Sequence, residues 1–189
     1  MWLRQKDPKP YGSYGNGAAM RVSPCAHAAS TMEEAIKLSK TVTEVTHNHE
    51  EGIKGAEATT AAIFLALHGS SKEEIRTMIE NEKKYYKLNF TLDQIRPAYK
   101  FDAICQGTVP QAIVAFLEST DFEDAIRNAI SIGGDSDTLA AITGSIAEAY
   151  YGIPENIRHR ALQYLSKFQT DIVDRFEAKY GIILEKKHT

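Results

Sequence analysis

Ile132-Gly133-Gly134-Asp135-Ser136-Asp137-Thr138-Leu139-Ala140-Ala141-Ile142 is the stretch from which the rest of the chain is read. From Leu139 the apolar residues recur at Ile142, Ile146 and Ala149, a spacing that keeps one face of a helix dry until Gly152 and Pro154 end it. The helix therefore starts at the acids. Asp135 stands where an N-cap carboxylate accepts from the unpaired amides of the first turn, and Asp137 gains from the positive end of the helix dipole. Capping needs one acid, whereas this start sets two carboxylates and the Thr138 hydroxyl within four residues, after a Gly-Gly turn. Carboxylates that close repel unless a cation lies between them, and an all-oxygen donor set suits a hard Mg²⁺ or Mn²⁺ ion. A capped helix and a hard-cation site are both consistent with the local pattern. An Asp-x-Asp of the phosphatase or glycosyltransferase kind would need a strand or an α/β frame around it, and none is present.

Helical periodicity extends outward from this point. Thr31-Met32-Glu33-Glu34 has capping-box spacing and predicts a helix to about Thr46. From Ile53 to Leu67 so few positions are polar that the run reads as the central buried helix, closed by Gly69. Ser71-Lys72-Glu73-Glu74 opens a helix to about Tyr85, and Thr91 to Gln94 a short one that Pro97 stops. Phe101 to Pro110 reads as a loop or a brief strand ahead of a helical stretch from Gln111 to Leu117, and Asp121 caps a helix ending near Ile130. Beyond the acidic turn, Pro154-Glu155 restarts a helix, and Ile172, Val173, Phe176 and Tyr180 put an apolar stripe on the last one before Gly181. Eight or nine helices without strand alternation predict an all-α fold: one compact multi-helix domain over residues 1–189, with residues 1–10 as an extended lead-in.

The 189 residues are enough to bury a core without disulfide staples, and Cys25 and Cys105 are isolated, which predicts reduced, buried thiols. A net charge of −3 with dispersed charges leaves no basic footprint for nucleic acid. No apolar run approaches the roughly 20 residues that span a bilayer, and the first residues lack the apolar centre of a signal peptide. The expected setting is the cytoplasm.

Two polar stretches remain. Tyr11-Gly12-Ser13-Tyr14-Gly15-Asn16-Gly17 is either an ordinary Gly/Asn turn or a cradle of backbone N–H groups for an anion such as a diphosphate. His47-Asn48-His49 offers two imidazoles, but no third nitrogen or sulfur ligand accompanies them to define a zinc site. One of them contacting a ligand fits the pattern better.

Three stretches taken together, Gly12 to Arg21, Thr46-His47 and Gly133 to Thr138, resemble the ADP-ribosylglycohydrolase family in order and separation, and Phe101 to Leu117 is similar as well. The likeness runs from about Tyr11 to about Tyr164. It implies an all-α hydrolase that releases ADP-ribose from a modified acceptor by attack of water at the anomeric carbon, with two Mg²⁺ or Mn²⁺ ions. Asp135, Asp137 and Thr138 match the family's C-terminal metal ligands. Gly12, Ser13 and Tyr14, with Gly15 and Asn16 beside them, match residues around the diphosphate and neighbouring ribose, and His47 matches a position lining the cleft. The family's catalytic acid and first metal ligands lie in Gly-Asp-Ala and Thr-Asp-Asp stretches that this sequence lacks, so no catalytic residue is assigned. The resemblance thus implies an N-terminally truncated member, active with a separate N-terminal fragment, or else a non-catalytic relative that binds ADP-ribose or serves structurally. Removing the family's first helices should also bare apolar surface on the Ile53–Leu67 helix and favour a homo-oligomer.

Overall fold

The structure is a computed structural model that describes Arg4 and residues 6–181. The expected lead-in falls partly outside the described residues; Arg4 and residues 6–10 are exposed. Ten α-helices are present among the described residues: α1 (Ser23–Ala28), α2 (Met32–Thr43), α3 (Glu50–Leu67), α4 (Lys72–Thr77), α5 (Leu92–Ile95), α6 (Cys105–Glu118), α7 (Phe122–Ser131), α8 (Ser136–Tyr151), α9 (Glu155–Leu162) and α10 (Lys167–Tyr180). The all-α prediction holds, and Gly15 and Ile104 form one isolated antiparallel bridge.

Helices α3, α6 and α8 pack on one another as the centre, α1 and α2 lie against α3, and α7 closes over α6 and α8. Small residues permit this. Ala56, Ala58, Ala61 and Ala62 of α3 are buried beside Ile63, while Ile113 of α6 and Leu139, Ile142 and Ile146 of α8 are fully buried in the same core. Burying each of these larger side chains stabilises the fold by roughly 1.5–3 kcal/mol before chain entropy is set against it. The bare apolar surface expected on α3 is not found, because α1, α2, α6 and α8 cover it. Exposed apolar side chains lie elsewhere, among them Tyr11, Phe101, Tyr164 and Phe168.

Helix starts follow local chemistry, with instructive departures. Thr31 accepts from the Glu34 amide at 3.1 Å, but the Glu34 carboxylate reaches the Ser30 amide rather than that of Thr31, so only half of the capping box forms, and α2 ends at Thr43. Ser71 and Thr91 form complete boxes. After Thr77 the chain widens into a π-helical turn, Met78–Glu82, and stops short of Tyr85. A short helix the periodicity did not predict, α1, starts with Pro24 in its first turn, where the missing N–H costs nothing. Helix α6 begins at Cys105, six residues before the predicted run, and so Pro110 and Gly107 lie inside it. The Cys105 amide donates to Tyr14 O at 3.0 Å and Thr108 Oγ1 to Asp102 O at 3.1 Å, contacts that fix this helix start. The stripe predicted on α10 is present, but α9 and α10 bury no residue completely. A half-buried ion pair, Arg158 Nη2 to Glu177 Oε2 at 2.5 Å, ties the two together.

Candidate functional site

Asp135 occupies the N-cap position of α8, yet its side chain makes no capping hydrogen bond. The capping reading is therefore corrected. Its Oδ2 instead accepts from Asn16 Nδ2 at 2.7 Å, across 119 residues of sequence. Asn16 is buried, and its amide also donates to Thr108 Oγ1 at 3.0 Å. Its backbone N–H donates to Ala103 O at 2.8 Å. One side chain thus joins the Gly12–Gly17 turn, the start of α6 and the acidic turn before α8.

Gly133 and Gly134 both adopt positive φ, +75° and +71°. At Gly134 a second constraint applies. A Cβ there would lie 2.5 Å from Tyr99 Cε1, so the ring of Tyr99 covers the turn where a side chain would otherwise project. The Tyr99 hydroxyl donates to Gly107 O at 2.7 Å, and burial, then the Asp102 charge, pushes it up to about 12. Tyr99, Asp102 and Thr108 were not singled out in the sequence. The signal available was the second glycine of the pair, which called for a close neighbour.

The structure brings Asp135 and Asp137 together. A hydrogen bond with the Asp135 carboxyl, followed by one from the Thr138 amide, holds the Asp137 carboxyl below the usual carboxylate range. The Thr138 amide lies 3.0 Å from Asp137 Oδ1. Two carboxyls within reach of each other need a proton or a cation between them. Asp137 is exposed, so the pair opens to solvent. Thr138 is buried, and its hydroxyl is turned to Met20 Sδ at 3.7 Å rather than towards the acids. The donor chemistry is all oxygen and fits one side of a hard-cation site. Among the described residues no group of three or more His, Cys, Asp or Glu side chains is arranged to hold a metal ion.

The Gly12–Gly17 turn differs from an open cradle of amides. Gly12 N–H donates to Asn48 Oδ1 at 2.8 Å, Ser13 N–H to Thr46 O at 3.4 Å and Gly15 N–H to Ser13 Oγ at 3.3 Å. With the Asn16 amide on Ala103 O, four donors of the turn are taken up inside the protein, so the turn holds itself in shape rather than presenting those amides to an anion. What it offers outward are side chains. Tyr14 is exposed with its ring 5.0 Å from that of His49, and the Ser13 hydroxyl keeps its proton free to donate. Gly52 at the start of α3 lets the turn approach, since a Cβ there would lie 2.8 Å from Ser13 O.

His47 packs beside this turn. Its Nδ1 lies 2.7 Å from Arg21 Nη2 and 2.7 Å from Thr46 Oγ1, while Arg21 Nη2 also donates to Thr46 Oγ1 at 3.0 Å. Burial, and then the Arg21 charge, lowers its pKa. His49, the other imidazole of the pair, accepts from the Glu51 amide at 3.1 Å and caps α3. The two histidines thus have different tasks. Cys105 is buried, donates to Gly15 O at 3.2 Å, and is pushed up to about 12 by burial and next by Glu51.

The chain matches known proteins over nearly its full length. A family profile described as ADP-ribosylglycohydrolase matches residues 1–184. The ADP-ribosylarginine hydrolase Tri1 of Pseudomonas putida (strain GB-1) is 31% identical over 191 residues, covering 92% of this chain and 49% of the relative. The human ADP-ribosylhydrolase ARH3 is 30% identical over 188 residues, covering 76% of this chain and 52% of the relative. A solved structure titled as an ADP-ribosylglycohydrolase-related protein complex superposes with a TM-score of 0.68 at 25% identity, over 94% of this chain and 62% of that one. The chain spans about half the length of the curated relatives it matches.

Proposed function

The chain belongs to the ADP-ribosylglycohydrolase family, and on that premise we propose that it carries one part of a site that hydrolyses the glycosidic bond between ADP-ribose and an acceptor group. The observation that carries this reading is the 2.7 Å link from Asn16 to Asp135, which makes one site of the glycine turn and the acidic turn. In this reading Asp135 and Asp137 hold Mg²⁺ or Mn²⁺, joined by Thr138 once its hydroxyl turns from Met20. Bound there, such an ion supplies neutralising charge for the two acids and Lewis-acid polarisation of substrate oxygens. Asn16 serves as a positioning residue: its amide fixes which oxygen of Asp135 remains available. Ser13 offers a hydroxyl donor to the diphosphate or ribose, Tyr14 an exposed ring face, and His47 a ring edge, while Gly12 and Gly15 shape the turn that carries them. Binding the substrate between the two turns would hold the anomeric carbon over the acids, and orientation of this kind accounts for much of enzymatic rate enhancement.

A second reading has its own support. This chain's ion donors number two carboxylates and a hydroxyl, short of the roughly six oxygens one octahedral ion takes. That favours a protein that binds ADP-ribose without turning it over. The two are separated by incubating ADP-ribosyl-arginine and ADP-ribosyl-serine with the chain and Mg²⁺ or Mn²⁺, alone and with the N-terminal half of a family member supplied as a separate polypeptide. Release of ADP-ribose, lost in D135N and D137N, supports hydrolysis, and release only with the added half assigns this chain a share of the site. Micromolar binding of ADP-ribose without release under either condition supports the binding protein, and absence of both refutes the proposal.

A further inference from the structure

We propose that Arg21 is a positioning residue that locks His47 in the Nε2–H tautomer, so that a fixed donor faces the Gly15–Gly17 turn. An arginine guanidinium has five N–H donors and no acceptor, so at 2.7 Å from Arg21 Nη2 the His47 Nδ1 must carry a lone pair. Thr46 then supplies a second donor. With Nδ1 fixed as an acceptor by Arg21, the Thr46 hydroxyl 2.7 Å away donates to it, while its Oγ1 accepts from Arg21 at 3.0 Å. With two donors converging on Nδ1, the proton of the neutral ring resides on Nε2. That nitrogen has no hydrogen-bond partner among the described residues. It is also the closest ring atom to the positions a Cβ would take at Gly15 and Gly17, 3.6 Å in both cases, so the absence of those two side chains keeps its approach clear.

Only the target of the donor rests on the function proposed above: an Nε2–H at the glycine turn meets a phosphate or ribose oxygen of ADP-ribose. The lock itself rests on Arg21, Thr46 and His47 alone. Arg21 is exposed, so its substitution should leave the fold intact.

The test uses the full chain at pH 8, where multiple-bond ¹⁵N–¹H spectra distinguish the two neutral tautomers of each histidine. Native His47 is expected wholly as Nε2–H. In R21M, Thr46 Oγ1 is released to accept from the ring, and an Nδ1–H population should appear; R21K retains a donor and should restore the native pattern. An Nδ1–H pattern in the native chain, or an R21M spectrum unchanged from native, overturns the lock. Binding gives a second reading by calorimetry with ADP-ribose. Loss of one hydrogen bond to a charged group predicts about tenfold weaker binding in R21M. In H47Q the amide nitrogen supplies a donor without any tautomer to select, so adding R21M there should cost less than about twofold by the same arithmetic. An equal loss in both backgrounds would mean that Arg21 meets the ligand directly, and the proposal fails. If the native chain binds no ADP-ribose while the spectra behave as expected, the proposed function falls and the lock stands.

Discussion

Replacing Gly134 by alanine tests whether the acidic turn is held by Tyr99. The residue has φ of +71°, and the left-handed region costs an L-residue with a Cβ about 1–2 kcal/mol. The new methyl would also lie 2.5 Å from Tyr99 Cε1 and 3.2 Å from Lys100 O, whereas carbon atoms in favourable contact sit roughly 3.5–4.0 Å apart. The ring must therefore retreat by about 1 Å, an overpacking cost of roughly 1–3 kcal/mol. The retreat strains the bond from its hydroxyl to Gly107 O, which contributes roughly 0.5–1.5 kcal/mol. Gly133 is the internal control. Its φ is +75°, and a Cβ there meets nothing within 4 Å, so G133A carries the conformational cost alone. Urea unfolding should thus show G133A down by about 1–2 kcal/mol and G134A down by about 3–5 kcal/mol. The double variant Y99A/G134A should be more stable than the sum of the two single losses, because the alanine methyl then has room. Equal losses in G133A and G134A, or strict additivity with Y99A, would refute the idea that Tyr99 packs on this turn.

Asn16→Ala should destabilise the chain by about 1.5–3 kcal/mol, since it removes the buried amide that donates to both Thr108 Oγ1 and the Asp135 carboxylate; Asn16→Asp should cost more, because a third carboxylate then faces the acidic pair. Denaturant melts at pH 7 check both, and the order would be reversed if Asn16 did not donate to Asp135. Both cysteines are raised by burial, Cys105 to about 12, so neither should react at pH 8 with a disulfide reagent until denaturant is added. The same burial fixes a sign: above the ordinary thiol value of 9.0 the unfolded chain releases protons that the folded chain keeps, so stability falls as pH rises from there towards 12. Rapid native labelling, or stability that rises through that window on account of these thiols, would count against the burial described. In hydrogen exchange, residues 155–180 should open at lower free energy than α3, α6 and α8, because α9 and α10 bury no residue completely; R158A should lower their protection further by about 1–3 kcal/mol and leave α3 unchanged.

What the sequence conveyed and what it concealed divide along a physical line. Helices with a strong 3.6-residue period, such as α3, and those with a completed box at Ser71 or Thr91 are readable because their cause is local. Thr31 shows the limit: the pattern is the same, but Glu34 takes a different amide. The start of α6 could not be read from periodicity, because it is set by Tyr14, ninety-one positions earlier, through the bond to the Cys105 amide. The same holds for the site. Gly12 to Gly17, His47 and the two acids stand out as unusual composition, yet the role of Asn16 depends on a carboxylate far along the chain. Tyr99 and Asp102 lie in an aperiodic loop and carry no local signature.

The distribution of these links bears on how the site responds to damage. Asn16, Thr108, Asp102, Tyr99, Gly134 and Asp135 form one set in which the bonds from Asn16 to Thr108 and Asp135, and the approach of Tyr99 to Gly134, join three separate segments, so displacing one member pulls on the others. None of these residues lies on α9 or α10. Opening of the C-terminal pair should therefore leave the acidic turn intact, while a change as small as one methyl at Gly134 should disturb both turns together. Binding of Mn²⁺ followed by its paramagnetic effect on nearby protons distinguishes these cases: R158A should retain it and G134A should lose it. If R158A weakened the ion's hold as much as G134A, the site would depend on the whole domain rather than on this set, and the assignment of Asn16 and Tyr99 as its supports would be wrong.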